Sequence, residues 1–335
     1  MHLPTTSRKY LCDATHALAA FALTAVSLLQ PHEVLAQGYP TKTVRIIVPQ
    51  SAGGSTDFAA RAVAQKLTEV FKETVLVDNR PGAGSINGTE AVAKAPPDGY
   101  ILLAVAASFT INPSLHRKLP FDPILDFAPV TQIAGLPHLL VVHPSMPVKS
   151  VKDLIAIAKS KPGEINYASS GVATSTHLAA ELFMYMTGTR MVNVPYKGGA
   201  PSLVAMLSGE CQVNFAAIST ALPQVRIGKL RGIAVTSTKR SLAAPEYPTV
   251  AETGVAGYAH NSWIGVLAPA KTPQPVIERL NTEIARIVRL EDVKTMLLRE
   301  GLESYGNPAG EFEKVIATEV AKWKKLTKAA GIKSR

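Results

Sequence analysis

The sequence has only two cysteines in 335 residues, Cys12 and Cys211. Cys12 lies upstream of an N-terminal apolar run. Once that leader is removed, Cys211 stands alone and no intramolecular disulfide can form, whatever the redox state of the compartment. No group of Cys and His has zinc-site spacing and the histidines are scattered, so neither a metal nor a cofactor is expected. No uncharged apolar stretch exceeds the run 17–29, which at 13 residues is too short to cross a bilayer. The Gly-x-Ser-x-Gly elbow of serine hydrolases is absent. A basic stripe interleaved with aromatics is also lacking, which argues against nucleic acid as a partner. The formal charge is nevertheless +10. The excess concentrates only near the C-terminus, at Lys322, Lys324, Lys325, Lys328 and Lys333, and a net positive field favours small anions.

The first residues carry an address. Arg8 and Lys9 precede the apolar run, and Val34-Leu35-Ala36 supplies compact residues for cleavage. Residues 1–36 are therefore expected to be a signal peptide, the mature chain being soluble and periplasmic. The remaining 299 residues, with 33 basic and 23 acidic side chains, exceed what one core usually covers, and two lobes are expected.

Strands and helices alternate along that chain. A β-branched strand over 44–48 runs into Gln50-Ser51-Ala52-Gly53-Gly54-Ser55-Thr56-Asp57, and apolar residues at helical spacing follow from Phe58. Glycine lets a guest approach the backbone, and the first N–H groups of a helix carry partial positive charge. This turn is thus either a candidate anion site or an ordinary capped βα turn. Strands over 74–78, 100–105 and 139–142 and a helix over 85–95 complete a first cycle, with a loop over 108–113. A second cycle starts at 165–168 and enters a turn of the same chemistry, Ser169 to Thr174, before a helix from His177 to Met186. Further strands fall at 191–194, 212–216, 232–235 and 263–267, with helices over 201–207 and 222–227. Three helices close the chain, over 275–290, 292–300 and 310–329. The order implies largely parallel sheets flanked by helices.

Two motifs invite enzymatic readings. Gly82-Ala83-Gly84-Ser85-Ile86-Asn87-Gly88 approaches a dinucleotide fingerprint, but its third glycine is displaced and the acidic partner is missing. Ser170 with His177 suggests a secreted hydrolase, the alternative carried forward, against which the missing elbow weighs. Lys197 is either an anion holder or a solvated turn lysine, and Trp263 either a ligand wall or core.

Several segments together resemble one family: Ala52-Gly53-Gly54-Ser55-Thr56-Asp57-Phe58, Asn79-Arg80-Pro81-Gly82-Ala83-Gly84, Pro97-Asp98-Gly99-Tyr100, Asp126-Phe127-Ala128-Pro129-Val130, Val194-Pro195-Tyr196-Lys197-Gly198 and Trp263-Ile264-Gly265-Val266-Leu267-Ala268-Pro269. The chain is similar, over essentially all of its mature length, to the Bug-type periplasmic solute-binding receptors of tripartite tricarboxylate transporters. The resemblance implies a non-enzymatic α/β protein of two lobes, type II-like, with residues 39–142 plus 258–335 in one and 143–257 in the other. The chain would cross near 142–144 and 257–262. It also implies a monomer that captures a small carboxylate and serves membrane permease subunits, or presents the ligand to a sensory kinase. The implied ligand contacts are Gln50, Ala52, Gly53, Gly54, Ser55, Thr56 and Asp57 in one loop and Ser169, Ser170, Gly171, Thr174, Ser175, Thr176 and His177 in the other. Ser108, Phe109 and Thr110 would close the pocket, with Tyr196, Lys197 and Ala216 beside it. The chain departs from the family's pattern at Gln50, Ala173, Ser175 and Ala216. The family often has Asp where Ala216 stands, and that carboxylate would face a cationic group of the ligand.

Overall fold

The computed structural model describes residues 38–329 and 331, apart from Ala173. The expected leader lies outside the described residues.

The first cycle comprises β1 (Val44–Val48), α1 (Ser55–Phe71), β2 (Val75–Asn79), α2 (Ile86–Ala93), β3 (Ile101–Ala106) and α3 (Ser108–Leu115). β1 pairs in parallel with both β2 and β3. The second cycle begins with α4 (Val151–Ser160) and β5 (Asn166–Ser169). It continues through α5 (Ser175–Thr187), β6 (Val192–Pro195), α6 (Gly199–Leu207), β7 (Val213–Ala217), α7 (Ile218–Arg226) and β8 (Arg231–Val235). Here β5 pairs in parallel with β6 and β7. Each lobe is thus a parallel triplet with helices on its faces.

The lobes are joined by two antiparallel strands, β4 (Phe127–Val142) and β9 (Asn261–Pro269). β4 is 16 residues long and serves both lobes. From Phe127 to Pro137 it pairs with β9, and from His138 to Val142 with β7. β8 flanks the same second half. The exchange of partners therefore falls between Pro137 and His138. The strand expected over 139–142 is only the end of β4. Its first half escaped a pattern reading because Pro129, Gly135 and Pro137 interrupt the apolar run. The register shifts between Pro129 and Thr131 and again between Gln132 and Ala134, the irregularity expected where proline removes ladder donors.

Along the second half of β4 both faces are covered. Leu139 and Val141 join Ala168, Ala216 and Val235, while Leu140 and Val142 join Tyr167, Phe183 and Phe215. Period-two alternation with both faces buried reads as the continuous apolar run Leu139-Leu140-Val141-Val142.

The chain closes with α8 (Gln274–Ile287), α9 (Glu291–Arg299), β10 (Glu303–Ser304) and α10 (Ala309–Ala329). α10 spans both cores. Its Phe312 and Ile316 pack with Ile47, Leu103, Phe109 and Trp263, whereas Trp323 and Leu326 enter the cluster of Tyr167, Phe183 and Tyr258. Trp263 is core, meeting Phe312 edge-on at 5.0 Å. Glycine at 265 makes room for this ring. A Cβ there would collide with it, lying 2.7 Å from Phe312 Cε1. Gly265→Ala is expected to lower stability by roughly 1–3 kcal/mol, the usual cost of overpacking a core. Denaturant unfolding followed by Trp fluorescence measures it, and an unchanged midpoint would mean that the Phe312 ring relocates freely.

Candidate functional site

Strand register brings the candidate turns to one edge. β1 and β3 run in parallel and end at Val48 and Ala106. Ala106 opposes Ile264, near the end of β9 where Asn261 pairs Pro137. From the other lobe, Ala217 at the end of β7 opposes His138, and Val235 at the end of β8 opposes Leu139. β5 is parallel to β7 and ends at Ser169. Carboxyl ends of strands from both lobes thus meet at the seam where β4 changes partners, the place where open α/β sheets hold ligands. The helices that follow begin without side-chain caps at Gly54, Ala107, Thr174, Gly198 and Ala217. A helix start of this kind has no side-chain acceptor of its own for its early N–H groups.

A cavity of about 220 Å³ lies at this seam. Of the expected residues, Ser170, Ser175, Thr176 and Ala216 line it. Its remaining wall was not foreseen. Leu136 and His138 come from β4 and Ser262 from β9, while Gly199, Ser202, Ala217 and Thr220 come from the starts of α6 and α7. Pro137, a proline between strand-like residues, was the sequence signal for the His138 seam; the positions on α6 and α7 carry none. A larger hollow of about 450 Å³ lies away from the strand ends, beside α8. Its cations are already engaged, Arg286 by Glu283 and Arg289 by the Gly306 carbonyl.

Three hydroxyls form a triangle at the start of α5. Ser170 Oγ lies 3.1 Å from Thr174 Oγ1 and 2.9 Å from Thr176 Oγ1, and the two threonines are 3.1 Å apart. Thr174 donates to the Gly171 carbonyl at 2.7 Å, Ser170 donates to Thr174, and Thr176 accepts from the Ser170 N–H at 2.8 Å. Two of the three hydroxyl protons are committed. The third, on Thr176, has only Ser170 Oγ and Thr174 Oγ1 as acceptors within the triangle, and an acceptor entering the cavity would compete with them for it. Gly171, at φ +136°, folds the turn tightly enough for this.

The loop after β1 is shaped from below by Asp57. This buried carboxylate accepts from Gly53 N–H at 2.9 Å, Arg61 Nε at 3.0 Å and Asn79 Nδ2 at 2.9 Å. Asn79 also holds the Gln50 carbonyl at 3.2 Å. Burial works to raise the Asp57 pKa, but the bonds from Arg61, Gly53 and Asn79 outweigh it and hold the carboxyl below its ordinary range. Asp57 is accordingly a fastener of the loop, its oxygens spent inside the protein. Thr56 is buried too, whereas Ala52, Gly53, Gly54 and Ser55 are exposed. Gln50 is half-buried.

Other expected contacts are placed in the interior. Residues 108–115 form helix α3 rather than a loop, because Phe109 anchors it between Phe121 and Phe127. Thr110 donates to Ala107 O and Glu319, and Ser108 is half-buried. Ser169 is buried and donates to Asn193. Tyr196 sends its hydroxyl to Glu210 at 2.7 Å, and Lys197 is exposed. Arg80 is turned to Asp78.

His177 stacks on Tyr167 and lies 3.4 Å from Glu181, so the expected alternative of a Ser170–His177 hydrolase lacks its nucleophile–base contact. The one serine–histidine bond at the seam is Ser175 Oγ to His260 Nε2, at 2.7 Å. His260 Nδ1 has no partner, so no acid orients that ring as a triad requires. Among the described residues no cluster of His, Cys, Asp and Glu has the makings of a metal site, and no helix is long and apolar enough to cross a membrane.

A sequence profile described as the tripartite tricarboxylate transporter family receptor matches residues 59–332. The chain belongs to this family. Its members are periplasmic solute-binding proteins, receptors and not enzymes. Protein BugT of Bordetella pertussis is 33% identical over 302 residues, 90% of this chain and 93% of BugT. Among solved structures, Rpa4515 of R. palustris, determined with adipate, superposes with a TM-score of 0.73 at 36% identity, over 89% of this chain and all of its own. MatC of Rhodopseudomonas palustris, determined with bound malate, gives 0.69 at 26% identity, over 86% of this chain and 99% of its own.

Because Asp57 has a depressed pKa, its contribution to stability is fully present above the ordinary carboxylate range and is lost as pH falls through its lowered value. Asp57→Ala, which strands the Gly53 N–H and Asn79, is expected to cost roughly 1–3 kcal/mol at pH 7. The gap between variant and parent should close below about pH 3.8, the ordinary Asp value. Urea melts of both proteins from pH 7 to 3 test this; a gap independent of pH would remove the carboxylate from the account.

Proposed function

We propose that this receptor closes its two lobes on a small, amine-free organic carboxylate in the periplasm and delivers it to the membrane permease of a tripartite tricarboxylate-type transporter. The observation that carries the reading is the hydroxyl triangle at the uncapped start of α5, which lines the seam cavity through Ser170 and Thr176 and whose Thr176 proton an entering anion can draw from its neighbours. A carboxylate is the acceptor that fits a cluster of hydroxyls beside an uncapped helix start. The exposed turn at Gly53–Ser55, at the same sheet edge, supplies the opposing jaw when the lobes close. In this proposal residues 39–142 and 258–335 form one lobe and 143–257 the other, flexing where β4 exchanges partners.

The amine-free choice follows from the cavity wall. Ala216 and Ala217 stand at the end of β7, and no acidic side chain lines the space. A buried ammonium there would pay a desolvation cost of several kcal/mol without a counter-charge. Adipate with Rpa4515 and malate with MatC are amine-free carboxylates bound by relatives.

Calorimetric titration with succinate, glutarate and adipate, and with aspartate and glutamate, tests the reading. The amine-free acids are expected to bind more tightly than their amino counterparts, and Thr176→Val to weaken the best of them by roughly 1–3 kcal/mol. Tighter binding of the amino acids would overturn the ligand class, and an unchanged affinity in the variant would exclude the start of α5 from the site.

A further inference from the structure

The cavity at the seam contains an unspent polar group. His138 is 5% exposed and lines the cavity from β4. Its backbone N–H is satisfied by Thr236 Oγ1 at 2.9 Å, yet Nδ1 is buried without a partner, and no hydrogen bond among the described residues engages Nε2. A neutral imidazole carries one donor and one acceptor, and leaving either unmet in the interior is costly. The surrounding wall offers only hydroxyls and apolar groups, from Ser202, Thr220, Ser262, Ala216 and Ala217. His138 is thus the one titratable side chain facing the cavity.

Resting on the receptor reading above, we propose that His138 receives the second carboxylate of a dicarboxylate ligand and takes up a proton from solvent as that group enters. The first carboxylate sits on the Ser170–Thr174–Thr176 hydroxyls. The second, in a cavity without Lys or Arg, needs a counter-charge to be buried at all. An imidazolium at position 138 provides both the charge and the missing partner for a ring nitrogen.

The charged and titratable neighbours direct the proton to this ring. His260, ahead of β9, lies 5.4 Å away, but its Nε2 is already bonded to Ser175. From α10, Trp323 covers the His260 ring edge-on, and Lys322 opposes a positive charge on His260, with Glu319 3.9 Å from the lysine. From α5 the groups that line the same cavity are the neutral hydroxyls of Ser175 and Thr176. On β7 Ala217 stands in register with His138, just past β8 Thr236 bonds its backbone, and on β9 Ser262 opposes Leu136, two residues before it; all three are neutral. Burial pushes the pKa of His138 down to about 4, so in the free protein the ring is neutral at physiological pH. A carboxylate placed against it reverses that balance.

Calorimetry at pH 7 in two buffers of different ionisation enthalpy counts the protons, using the series from succinate to adipate and the monocarboxylates of equal chain length. At this pH the free diacids are ionised. The diacid that binds best is expected to take up close to one proton, and its affinity to rise by up to about tenfold per pH unit from pH 8 to 6. The matching monocarboxylate should take up none. In His138→Gln the uptake should vanish, with the diacid weakened tenfold or more and the monoacid changed less than threefold. Absence of uptake, or equal uptake in His138→Gln, which would put the proton on the ligand, overturns the role of His138 and leaves the receptor reading intact. Failure of every acid in the series to bind overturns both. Should the variant not fold, ring nitrogen NMR of the unaltered protein decides. The imidazole in contact with bound diacid must move to the doubly protonated pattern, and a ring that stays neutral refutes the proposal.

Discussion

The structure depends on one strand keeping two sets of partners. β4 hydrogen-bonds to β9 up to Pro137 and to β7 and β8 from His138 onward. Because backbone groups in an interior must be paired, this exchange fixes where two sheets can share a strand. It also fixes where their strands end. Every strand pairing in parallel within a lobe inherits its direction from β4 or β9, so the carboxyl ends of β1, β3, β5 and β7 point at a single seam. The cleft is a consequence of register, and no loop has to be placed there by its own preferences.

At that seam the chain repeatedly uses the same local solution. A strand ends, at most six residues follow, and a helix begins without a side-chain cap. Uncapped starts sacrifice local stability, since a side-chain cap is typically worth about 1 kcal/mol. The protein compensates from beneath the loop. Asp57 and Asn79 hold Gly53 and Gln50 from the helix side, and the Ser170–Thr174–Thr176 hydroxyls bind one another. These bonds, which engage the Gly53 and Ser170 N–H groups, keep the turns in one shape before any guest arrives, a form of preorganisation that would lower the entropic cost of binding.

Much of this was legible in the sequence. Alternating strand and helix patterns located both cycles, and the two glycine- and hydroxyl-rich turns stood out because their residue types serve close backbone approach. The illegible part has physical causes. The first half of β4 is broken by Pro129, Gly135 and Pro137, so its periodicity fails where its register shifts. α3 hides behind Pro113, and only tertiary packing of Phe109 on Phe121 and Phe127 makes it helical. Asp57, Ser169, His177 and Tyr196 carry polar groups suited to a ligand, but each meets a partner distant in sequence or across a turn. Residue type could not tell a spent polar group from an available one. Conversely His138 and Ser262 stand just outside the expected strands over 139–142 and 263–267, Ser202 lies in an expected helix, and only the register of β4 with β7 and β9 brings them to one wall.

On the proposed reading, the distinction between spent and unspent polar groups also accounts for how a site without fixed charge would bind an anion and still release it. Were Lys197 or Arg80 in the cavity, a carboxylate would meet a permanent partner, and removing it would leave a buried cation uncompensated, at a cost of about 3–5 kcal/mol. Instead Arg80 is neutralised by Asp78 and Lys197 stays in solvent. The wall consists of hydroxyls, helix N–H groups and one neutral imidazole. These are donors of moderate strength whose free state carries a modest penalty, recovered when the lobes close and water is excluded. Opening the lobes readmits water, which satisfies the same donors. On that reading affinity is tied to closure, and a partner that opens the lobes at β4 would weaken the grip by readmitting water and returning the His138 proton to solvent, with no permanent cation left buried behind.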